Sequence, residues 1–392
     1  MKLGFHYHSN FKRQGDIIKI PSYLGVFIDS VASQVDEILL FLEEQTNSSS
    51  TEEDYVLIHT NIKIINLGNK STFYNRLLNP KSRIAIVKKH SQGLDAFLLR
   101  APSPLAPHIF NVLSPEIPVY PLIVGNYVRG LKDLQQPFLR KIGIIILTYY
   151  YQWLHNKMIS QSKIFVNSGE LLKDNQKKAK AIFLIKTTTL SKDSFFVRED
   201  TCQNSIIKLL FTGRINYQKG LRELIEAIST LSQFNLELHI VGWEEKGTFS
   251  YEEALMSLAL TKGLASKIFF HGKKQIGPEL DSYYRNADIY VIPSYHEGFP
   301  RTIWEALANS LPVIATKVGS IPYYLENNKN AILIQPKKID ELAQAITLII
   351  KNKELRKNLI KQGYILTQEV TLEKQANLLI NQIKKYTSEQ TV

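Results

Sequence analysis

The sequence is poor in cysteine and has no long apolar run. Cys202 is the only cysteine among 392 residues, which excludes a disulfide framework and fits a reducing compartment. No stretch of about 18 apolar residues occurs, so we expect no membrane-spanning helix. Met1–Tyr7 has the pattern of a strand, with neither the apolar core nor the small-residue cleavage site of a secretory signal. These absences favour a cytoplasmic protein.

Signatures of dinucleotide and nucleic acid binding are missing too. No G-x-G-x-x-G follows the first strand of either half, which argues against a dinucleotide-dependent dehydrogenase. No DNA- or RNA-binding motif occurs and the lysines are scattered, so we expect no nucleic acid partner. The formal charge is nevertheless +12, and residues 1–200 hold 25 Lys and Arg against 17 Asp and Glu. Such a basic half suits either a solvated surface or peripheral contact with an anionic membrane.

The remaining composition is that of an ordinary globular protein, with 44% apolar and 21% charged residues. A chain of 392 residues exceeds one ordinary core, so we predict two domains. Strand and helix patterns alternate in the first half, and the alternation restarts at Ile206, which is typical of parallel α/β sheets. The predicted domains are residues 1–195 and 196–365. Residues 366–392 are predicted to form a C-terminal helix that crosses back to the first domain.

Several segments of the first half have less regular patterns. Gly15–Ile20 is predicted as a loop, and so is Ala101–Pro107, because it contains three prolines. Ser71–Leu78 is a predicted helix. Residues 170–205 are rich in Lys, Thr and Ser, and we interpret them as the connection between the two domains.

The longest helical pattern is Phe138–Ser162. Its centre, Ile142–Leu154, is strongly apolar and aromatic, and Arg140, Lys141 and Lys157 flank it. The apolar stretch is too short to span a bilayer. We favour a buried core helix, and the alternative is an interfacial helix that lies on a membrane.

Residues 288–316 have the pattern of a strand, a turn, a helix and a second strand. Asp288–Ile292 is a short apolar run typical of a buried parallel strand, and Pro300 suits the start of the helix. Two carboxylates bracket the turn, Glu297 before it and Glu305 within the helix. A helix N-terminus at the carboxyl end of a parallel strand suits a phosphate, and each carboxylate can accept hydrogen bonds from sugar hydroxyls. The alternative is that Glu297 caps the helix and Glu305 is solvated.

The segment Leu209–Arg222 offers positive charge at a second strand end. The predicted strand ends at Gly213, a residue type that lets the backbone approach a ligand. Arg214 then provides a fork of donors suited to phosphate, and Lys219 provides a mobile point charge. Open α/β sheets bind ligands at the carboxyl ends of their strands. Because both strands belong to one predicted sheet, we expect these cations near the Glu297–Glu305 loop rather than as separate surface charges.

The motifs of the second half follow one another in a characteristic order. They are GRINYQKG at 213–220, FFHGKK at 269–274, the run from NADIYVIPS through EGFPRTIWEALANS to KVGSIP at 286–322, and NAILIQP at 330–336. Together they resemble the retaining glycosyltransferases of family 4, and the likeness covers about 200–365. The resemblance implies the GT-B fold, in which two Rossmann-like parallel-sheet domains face each other across a cleft. RAPSPLA at 100–106 and TTTL at 187–190 are more loosely similar to the branch that assembles exopolysaccharides and glycolipids.

The resemblance implies roles for individual residues. Arg214 and Lys219 match the pair that binds the donor diphosphate and supports its departure, and Glu297 matches the carboxylate that contacts the donor sugar. These three are the implied catalytic residues. Glu305 matches the carboxylate that holds the ribose hydroxyls. The other implied donor-binding residues are Gly213, Lys273, Gly298, Phe299, Pro300 and Thr302.

The implied reaction moves a sugar, of hexose type, from a nucleotide-diphosphate sugar to an acceptor hydroxyl with anomeric retention. In the family it is usually drawn as same-face attack assisted by the leaving phosphate. Metal-dependent transferases bridge the diphosphate with a divalent ion on an Asp-x-Asp motif, which this sequence lacks. We therefore expect no metal and no cofactor. Arg214, Lys219 and the dipole of the following helix would neutralise the leaving group instead.

The acceptor side departs from the family pattern. Only Gly15 and Gly25 stand near the position of the usual glycine pair, and Gly125-Asn126 stands where many members have His-Asp. Arg100 and Asn126 are the acceptor-side candidates. The expected acceptor is a glycan or a lipid-linked molecule in bacterial surface polysaccharide or glycolipid assembly. The alternative functions are a nucleotide-sugar hydrolase or epimerase of the same fold, and a non-catalytic nucleotide-sugar-binding protein.

Overall fold

The computed structural model describes residues 1–15, 17–45, 53–69, 80–131, 137–244 and 250–389. The chain divides into two compact units. The first unit comprises residues 1–187 together with 373–392, and the second comprises residues 188–372. The predicted helix Ser71–Leu78 lies outside the described residues.

A mostly parallel sheet forms the centre of the first unit. Its strands are β1 (Lys2–Gln14), β2 (Ile17–Pro21), β3 (Glu37–Glu44), β4 (Glu53–Val56), β5 (Ile62–Asn69), β6 (Ala96–Ala101), β7 (Val119–Ile123), β8 (Lys163–Val166) and β9 (Ala181–Leu184). In the spatial order β5-β3-β1-β6-β7-β8-β9, every pair is parallel. The first four residues of β6, Ala96 to Leu99, are completely buried. Such continuous burial is typical of a parallel strand that is covered on both faces.

The end of β1 contradicts the loop predicted for Gly15–Ile20. The chain turns at Gly15, whose φ is 62°, and Ile17–Pro21 then pairs antiparallel with β1. β2 pairs in turn with β4. The prediction was wrong because one glycine can reverse the chain, which allows the β-branched residues that follow to extend along β1.

Helices cover both faces of this sheet. Those of the first unit are α1 (Ser22–Ala32), α2 (Lys81–His90), α3 (Ala106–Leu113), α4 (Phe138–Ser160) and α5 (Gly169–Asn175). Leu24, Ile28 and Val31 of α1 belong to the apolar cluster on one face. Ile109 and Phe110 of α3 belong to the cluster on the other face.

Two segments predicted to be irregular contain regular structure. β6 continues through Ala101, and α3 begins at Ala106 with Pro107 in its first turn, where the missing proline N–H is not needed. The predicted connection 170–205 contains most of α5 and all of β9. The four apolar residues Ala181–Leu184 form β9, and a strand this short hardly changes the polar composition of the segment around it.

The second unit contains a six-stranded sheet in which every pair is parallel. Its strands are β10 (Ile207–Arg214), β11 (Leu236–Trp243), β12 (Ile268–Phe270), β13 (Ile289–Ile292), β14 (Val313–Thr316) and β15 (Ile332–Ile334). Their spatial order is β12-β11-β10-β13-β14-β15, the doubly wound order. The strand order therefore reverses between β10 and β13, and such a switch point is where open α/β sheets bind ligands.

The helices of the second unit contribute buried residues to one apolar cluster with this sheet. They are α6 (Leu221–Ser229), α7 (Tyr251–Thr261), α8 (Pro278–Asn286), α9 (Arg301–Ala308), α10 (Ile321–Tyr324), α11 (Ile339–Lys351) and α12 (Lys353–Thr367). In α6, Leu221, Leu224, Ile225 and Ile228 recur at helical spacing and are all buried.

The C-terminal helix α13 (Leu372–Ser388) packs in the first unit. Leu379 and Ile383 are buried in the same apolar cluster as α1. The hydroxyl groups of Tyr120 and Thr387 lie 3.0 Å apart, which fixes the end of α13 against β7. The predicted fold class is therefore confirmed: the chain has two parallel-sheet α/β units and a C-terminal helix that packs on the first.

Helix α4 has 23 residues and is only partly buried. Tyr151, His155, Met158 and Ile159 are buried, whereas much of its apolar surface is exposed. The favoured prediction of a buried core helix is wrong for this part of the surface. Within the described residues, no helix combines the length and the hydropathy that a bilayer crossing requires.

A buried ion pair joins α12 to the start of the second unit. Arg356 Nε lies 2.6 Å from Asp200 Oδ1, and the two side chains are 5% and 3% exposed. The same guanidinium donates to the carbonyl oxygens of Ile349 and Ile350 at 2.8 and 3.0 Å. Burial alone would raise the pKa of Asp200, but hydrogen bonds from Arg356 and from the Thr201 N–H lower it below the ordinary value.

We expect Arg356→Met to destabilise the second unit by about 3–5 kcal/mol, because it leaves the Asp200 carboxylate buried without its partner. The measurement is urea unfolding near neutral pH. Because the pKa of Asp200 is lowered on folding, its contribution is present above its unfolded pKa of about 3.9 and is lost as the pH falls through the folded value. The difference between wild type and variant should therefore shrink in acid.

The matched control is Arg222→Met, which removes an exposed arginine paired with Glu226. Exposed pairs contribute little, so its unfolding midpoint should stay near that of the wild type. Equal midpoints for Arg356→Met and Arg222→Met would show that the buried pair does not hold α12 in place.

Candidate active site

The candidate site lies at the carboxyl ends of β10 and β13. These strands are neighbours, with Leu209 opposite Ile289 and Leu210 opposite Tyr290. Of the predicted cations, Arg214 ends β10 and Lys219 lies in the loop that follows it; the loop that follows β13 carries Glu297. The sheet order therefore brings together two segments that are about 80 residues apart in sequence.

Two close backbone approaches shape the loop after β10. A Cβ on Gly242 would lie 1.8 Å from the carbonyl oxygen of Gly213, so β11 passes directly against this end of β10. Gly220 has a φ of 67°, and a Cβ there would lie 2.2 Å from the carbonyl oxygen of Pro293. Only glycine fits both the left-handed conformation and the contact. The backbone N–H of Tyr295 also donates to the carbonyl of Gln218 at 2.8 Å, which joins the two loops directly.

The two loops bring Lys219 and Glu297 into contact. Lys219 Nζ lies 2.6 Å from Glu297 Oε1, and the side chains are 17% and 11% exposed. The Ser294 hydroxyl donates to the same carboxylate oxygen at 2.7 Å. A charge-assisted pair that is largely shielded from water holds both side chains at the switch point. Arg214 is the last residue of β10, and its side chain is exposed at the same end of the sheet.

The turn after Glu297 leads directly into α9. Pro300 is the N-cap residue of this helix, and the Glu297 carboxylate accepts its hydrogen bonds from Lys219 and Ser294 instead. The hypothesis that Glu297 caps α9 is therefore wrong. Gly298 is exposed, and its carbonyl accepts the N–H of Ser320 at 2.7 Å. Phe299 packs inward, with its ring centroid 4.3 Å from that of Trp304, so only its backbone is placed to approach a ligand.

Gly319 lies directly against the backbone of this turn. Its φ is +55°, and a Cβ on it would lie 1.9 Å from the carbonyl oxygen of Glu297 and 2.8 Å from that of Gly298. Any side chain at this position would collide with the backbone of Glu297 and displace the turn from the start of α10. The position of Glu297 therefore depends on a glycine that is 22 residues further along the chain.

Glu305 is buried rather than solvated, with 7% of its surface exposed. The Tyr284 hydroxyl donates to Glu305 Oε2 at 2.7 Å, and the Thr189 hydroxyl donates to the other carboxylate oxygen. The side-chain hydroxyl oxygens of Thr212 and Tyr284 are 2.7 Å apart, so a chain of hydrogen bonds runs from β10 through α8 to α9. Burial, reinforced by the Glu305 charge, raises the pKa of Tyr284, which keeps this hydroxyl protonated as a donor.

The two remaining donor-side candidates lie in the same unit. The Thr302 hydroxyl is buried in the first turn of α9, beside Tyr290. Lys273 follows β12, and its Nζ lies 5.4 Å from the centre of the Trp243 ring at the end of β11. The predicted donor-binding residues therefore lie at the end of β10, in the loops that follow β10, β12 and β13, or in α9.

The acceptor-side candidates belong to the first unit. The Arg100 guanidinium lies 4.5 Å from the centre of the Tyr7 ring and contacts the His8 ring. Asn126 Oδ1 accepts the backbone N–H of Val128 at 2.8 Å and so closes a local turn. Arg100 is held at the end of β6 by aromatic neighbours, and Asn126 has a structural role in its own loop.

Sequence reasoning missed four residues that hold the carboxylates in place. They are Ser294 at Glu297, Thr189 and Tyr284 at Glu305, and Gly319 under the turn. Thr189 lies in the quoted motif TTTL and Gly319 in KVGSIP, so the sequence marked these segments without indicating their contacts. In the part of the chain that the structure describes, no group of three His, Cys, Asp or Glu side chains is arranged to hold a metal ion.

We expect Gly319→Ala to destabilise the second unit more than a glycine replacement with the same backbone strain but free space. Gly263, with a φ of +68° and no atom within 4 Å of a built Cβ, is the matched control. The left-handed conformation costs each variant about 1 kcal/mol. The contact with Glu297 adds roughly 1–3 kcal/mol for Gly319→Ala alone. Urea unfolding measures both, and equal losses would contradict the close approach.

The comparisons with known proteins concern mainly this unit. Residues 200–365 match the family described as glycosyl transferases group 1. An uncharacterized glycosyltransferase of Methanocaldococcus jannaschii is 30% identical over 168 residues, which are 43% of this chain and 42% of that relative. A Bacillus subtilis glycosyltransferase assigned provisionally to teichuronic acid biosynthesis is 30% identical over 138 residues, 35% of this chain and 31% of that relative. The chain thus matches less than half the length of these relatives.

The similarity in fold to solved structures covers nearly the whole chain. HepE from Anabaena, solved in complex with UDP-glucose, aligns with a TM-score of 0.69 over 99% of this chain and 100% of its own, at 17% identity. At that identity the likeness establishes the fold, which is GT-B. The family match spans β10 to β15 together with both loops of the candidate site. Residues 200–365 therefore match the glycosyl transferases group 1 family, within a chain that has the GT-B fold.

Proposed function

We propose that the chain is a retaining, metal-independent glycosyltransferase that moves a sugar from a nucleotide-diphosphate sugar to an acceptor hydroxyl. The observation that carries the proposal is the contact of Lys219 with Glu297 at the switch point of a group 1 domain. One of these groups suits a phosphate and the other suits sugar hydroxyls. A nucleotide-sugar donor contains both a phosphate and sugar hydroxyls, and the bond between the phosphate and the sugar is the one that breaks.

Positive charge at the site supports departure of the nucleotide diphosphate. As the bond to the sugar breaks, about two negative charges collect on the diphosphate. Lys219 and the exposed Arg214 can pair with phosphate oxygens, and the N–H groups of the first turn of α9 add the positive end of its dipole. Groups fixed in this way stabilise the leaving group without having to reorganise during the reaction.

The two carboxylates suit the two sugars of such a donor. Glu297 is partly accessible beside Lys219, so it can accept hydroxyl hydrogen bonds from the transferred sugar once Lys219 turns to the phosphate. Glu305 is oriented by Tyr284 and Thr189, and each carboxylate oxygen retains a further lone pair for a ribose hydroxyl. HepE was solved with UDP-glucose, which makes this nucleotide sugar the first donor to test.

We assign the reaction to the assembly of a bacterial surface polysaccharide or glycolipid, on the cytoplasmic side of the membrane. The motifs of the first half and the relative assigned to teichuronic acid biosynthesis support this role. The acceptor would then be a glycan or a lipid-linked molecule. Arg100, held at the end of β6, is the side chain best suited to an anionic group of the acceptor.

We expect Arg214→Ala and Lys219→Ala each to lower kcat by roughly 10²–10³-fold, because each removes an electrostatic donor to the leaving group. Glu297→Gln should lower turnover by a similar factor, because it weakens the hold on the transferred sugar. The measurement is release of nucleoside diphosphate together with mass spectrometry of the glycosylated acceptor. The anomeric configuration of the product, read by NMR, tests retention.

Matched controls are Arg222→Ala and Lys262→Ala, which remove an exposed cation of α6 and one directly after α7. Both should keep wild-type turnover. Equal turnover in the controls and in the site variants would contradict the assignment of the site. Release of free sugar or of an epimer without acceptor would favour the hydrolase or epimerase alternative. Tight donor binding without transfer across a broad acceptor panel would favour the non-catalytic one.

We expect the matching nucleotide sugar to raise the unfolding temperature of the protein. At a hundredfold excess over Kd the stabilisation is about 2.7 kcal/mol. Glu305→Ala should reduce the shift, because it removes the proposed ribose contact, whereas free glucose should cause none. EDTA should change neither the shift nor turnover. If EDTA abolished both the temperature shift and turnover, and a divalent ion restored them, metal independence would be contradicted.

A further inference from the structure

Helix α4 presents an exposed apolar stripe in the first unit. The stripe consists of Phe138, Ile142, Ile146, Tyr149, Tyr150 and Trp153, whose side chains are between 40% and 76% exposed. At about 100° per residue, these positions and Lys157 fall within an arc of about 120°. The stripe is about 28 Å long at 1.5 Å per residue, counted from Phe138 to Lys157.

This surface is not an ordinary solvated face. Single exposed apolar residues are common, whereas a continuous row of six large ones marks a contact surface. The opposite side of α4 already packs inside the first unit through Tyr151, His155, Met158 and Ile159. The stripe is therefore additional apolar surface that the core does not use.

Charge and residue type point to a membrane. Residues 138–160 contain no Asp or Glu, and Arg140, Lys141 and Lys157 are exposed near the two ends of the helix. Lys157 Nζ lies 5.9 Å from the centre of the Trp153 ring, so a cation sits beside the aromatic end of the stripe. Tryptophan and tyrosine prefer the boundary between lipid headgroups and acyl chains, and cations prefer anionic headgroups.

A second copy of the chain fits the same surface poorly. If two stripes packed in antiparallel fashion, Lys157 of each helix would lie within the contact, at the end of the pair where Arg140 and Lys141 of the other helix also lie. No acidic residue of the helix is available to pair with them. The net charge of +12 adds a general repulsion between copies.

We propose that the apolar stripe of α4 docks the protein onto the surface of an anionic lipid bilayer, with the helix lying in the plane of the interface. The stripe enters the boundary region, and Lys157 at its edge contacts the headgroups. Arg140 and Lys141 lie outside the arc of the stripe near the other end of the helix and reach the headgroups with their long side chains. This attachment is independent of the proposed transferase reaction. Its test uses binding alone, so its failure and that of the proposed function are distinguishable.

The experiment is cosedimentation of the full-length protein with vesicles of phosphatidylcholine, with or without 30% phosphatidylglycerol. We expect binding to the mixed vesicles that weakens as salt is raised. Ile146→Ser should reduce it, because that side chain is 65% exposed and contributes to the stripe. The matched control Leu260→Ser removes a side chain of α7 that is 70% exposed, and it should bind like the wild type.

A second variant tests the charges without changing the apolar stripe. Replacing Arg140, Lys141 and Lys157 by Gln should lower partitioning about fivefold for each charge removed. The matched control replaces Lys88 and Lys89 of α2, which are also exposed. Quenching of tryptophan fluorescence by brominated lipid should occur in the wild type and be lost in Trp153→Phe.

Several results would overturn the proposal. They are equal binding by Ile146→Ser and Leu260→Ser, salt-insensitive binding to both vesicle types, and quenching that persists in Trp153→Phe. A dimer in lipid-free buffer that Ile146→Ser dissociates, without vesicle binding, would assign the stripe to a second copy. Circular dichroism and thermal unfolding of every variant separate loss of binding from loss of folding.

Discussion

The candidate site depends on backbone contacts that leave no room for a side chain. Gly220 lies against the carbonyl of Pro293, and Gly319 lies against the carbonyl of Glu297. The first contact fixes the loop after β10 against the loop after β13, and the second fixes the loop after β13 against the loop after β14. The Lys219–Glu297 pair joins the loop after β10 to the loop after β13, and α9 begins three residues after Gly298. The position of the Lys219–Glu297 pair thus depends on glycines that carry no side chain.

The two carboxylates experience different surroundings. Glu297 is partly accessible and pairs with Lys219, so in the proposed reaction its partner changes when Lys219 binds a phosphate. Glu305 is buried and fixed by Tyr284 and Thr189, which makes it a rigid acceptor. A site that must bind a sugar and a nucleotide together can use one adaptable and one fixed contact. The sheet supplies both because its strand order reverses between β10 and β13.

The two units carry different kinds of surface. The second contains every predicted donor-binding residue, and the first contains the acceptor-side candidates and the apolar stripe of α4. A lipid-linked acceptor would be presented at a membrane surface. The proposed docking of α4 would therefore bring acceptor and enzyme to the same plane, whereas the nucleotide sugar can arrive from solution. The basic character of residues 1–200 is consistent with this division.

The sequence by itself determined the two-domain α/β class and the strand Asp288–Ile292 to within one residue, and it predicted that Arg214, Lys219 and Glu297 lie at the ends of neighbouring strands. Short apolar runs and glycine-containing turns are local signals, and so is the order of motifs. Only the tertiary structure decided the hairpin after Gly15, the burial of Glu305 and the exposure of the α4 stripe. The physical reason is that pairing and burial depend on segments far apart in the chain. Thr189, which contacts Glu305, lies 116 residues away from it in the chain. The apolar pattern of α4 likewise does not indicate which of its side chains a neighbouring sheet will bury.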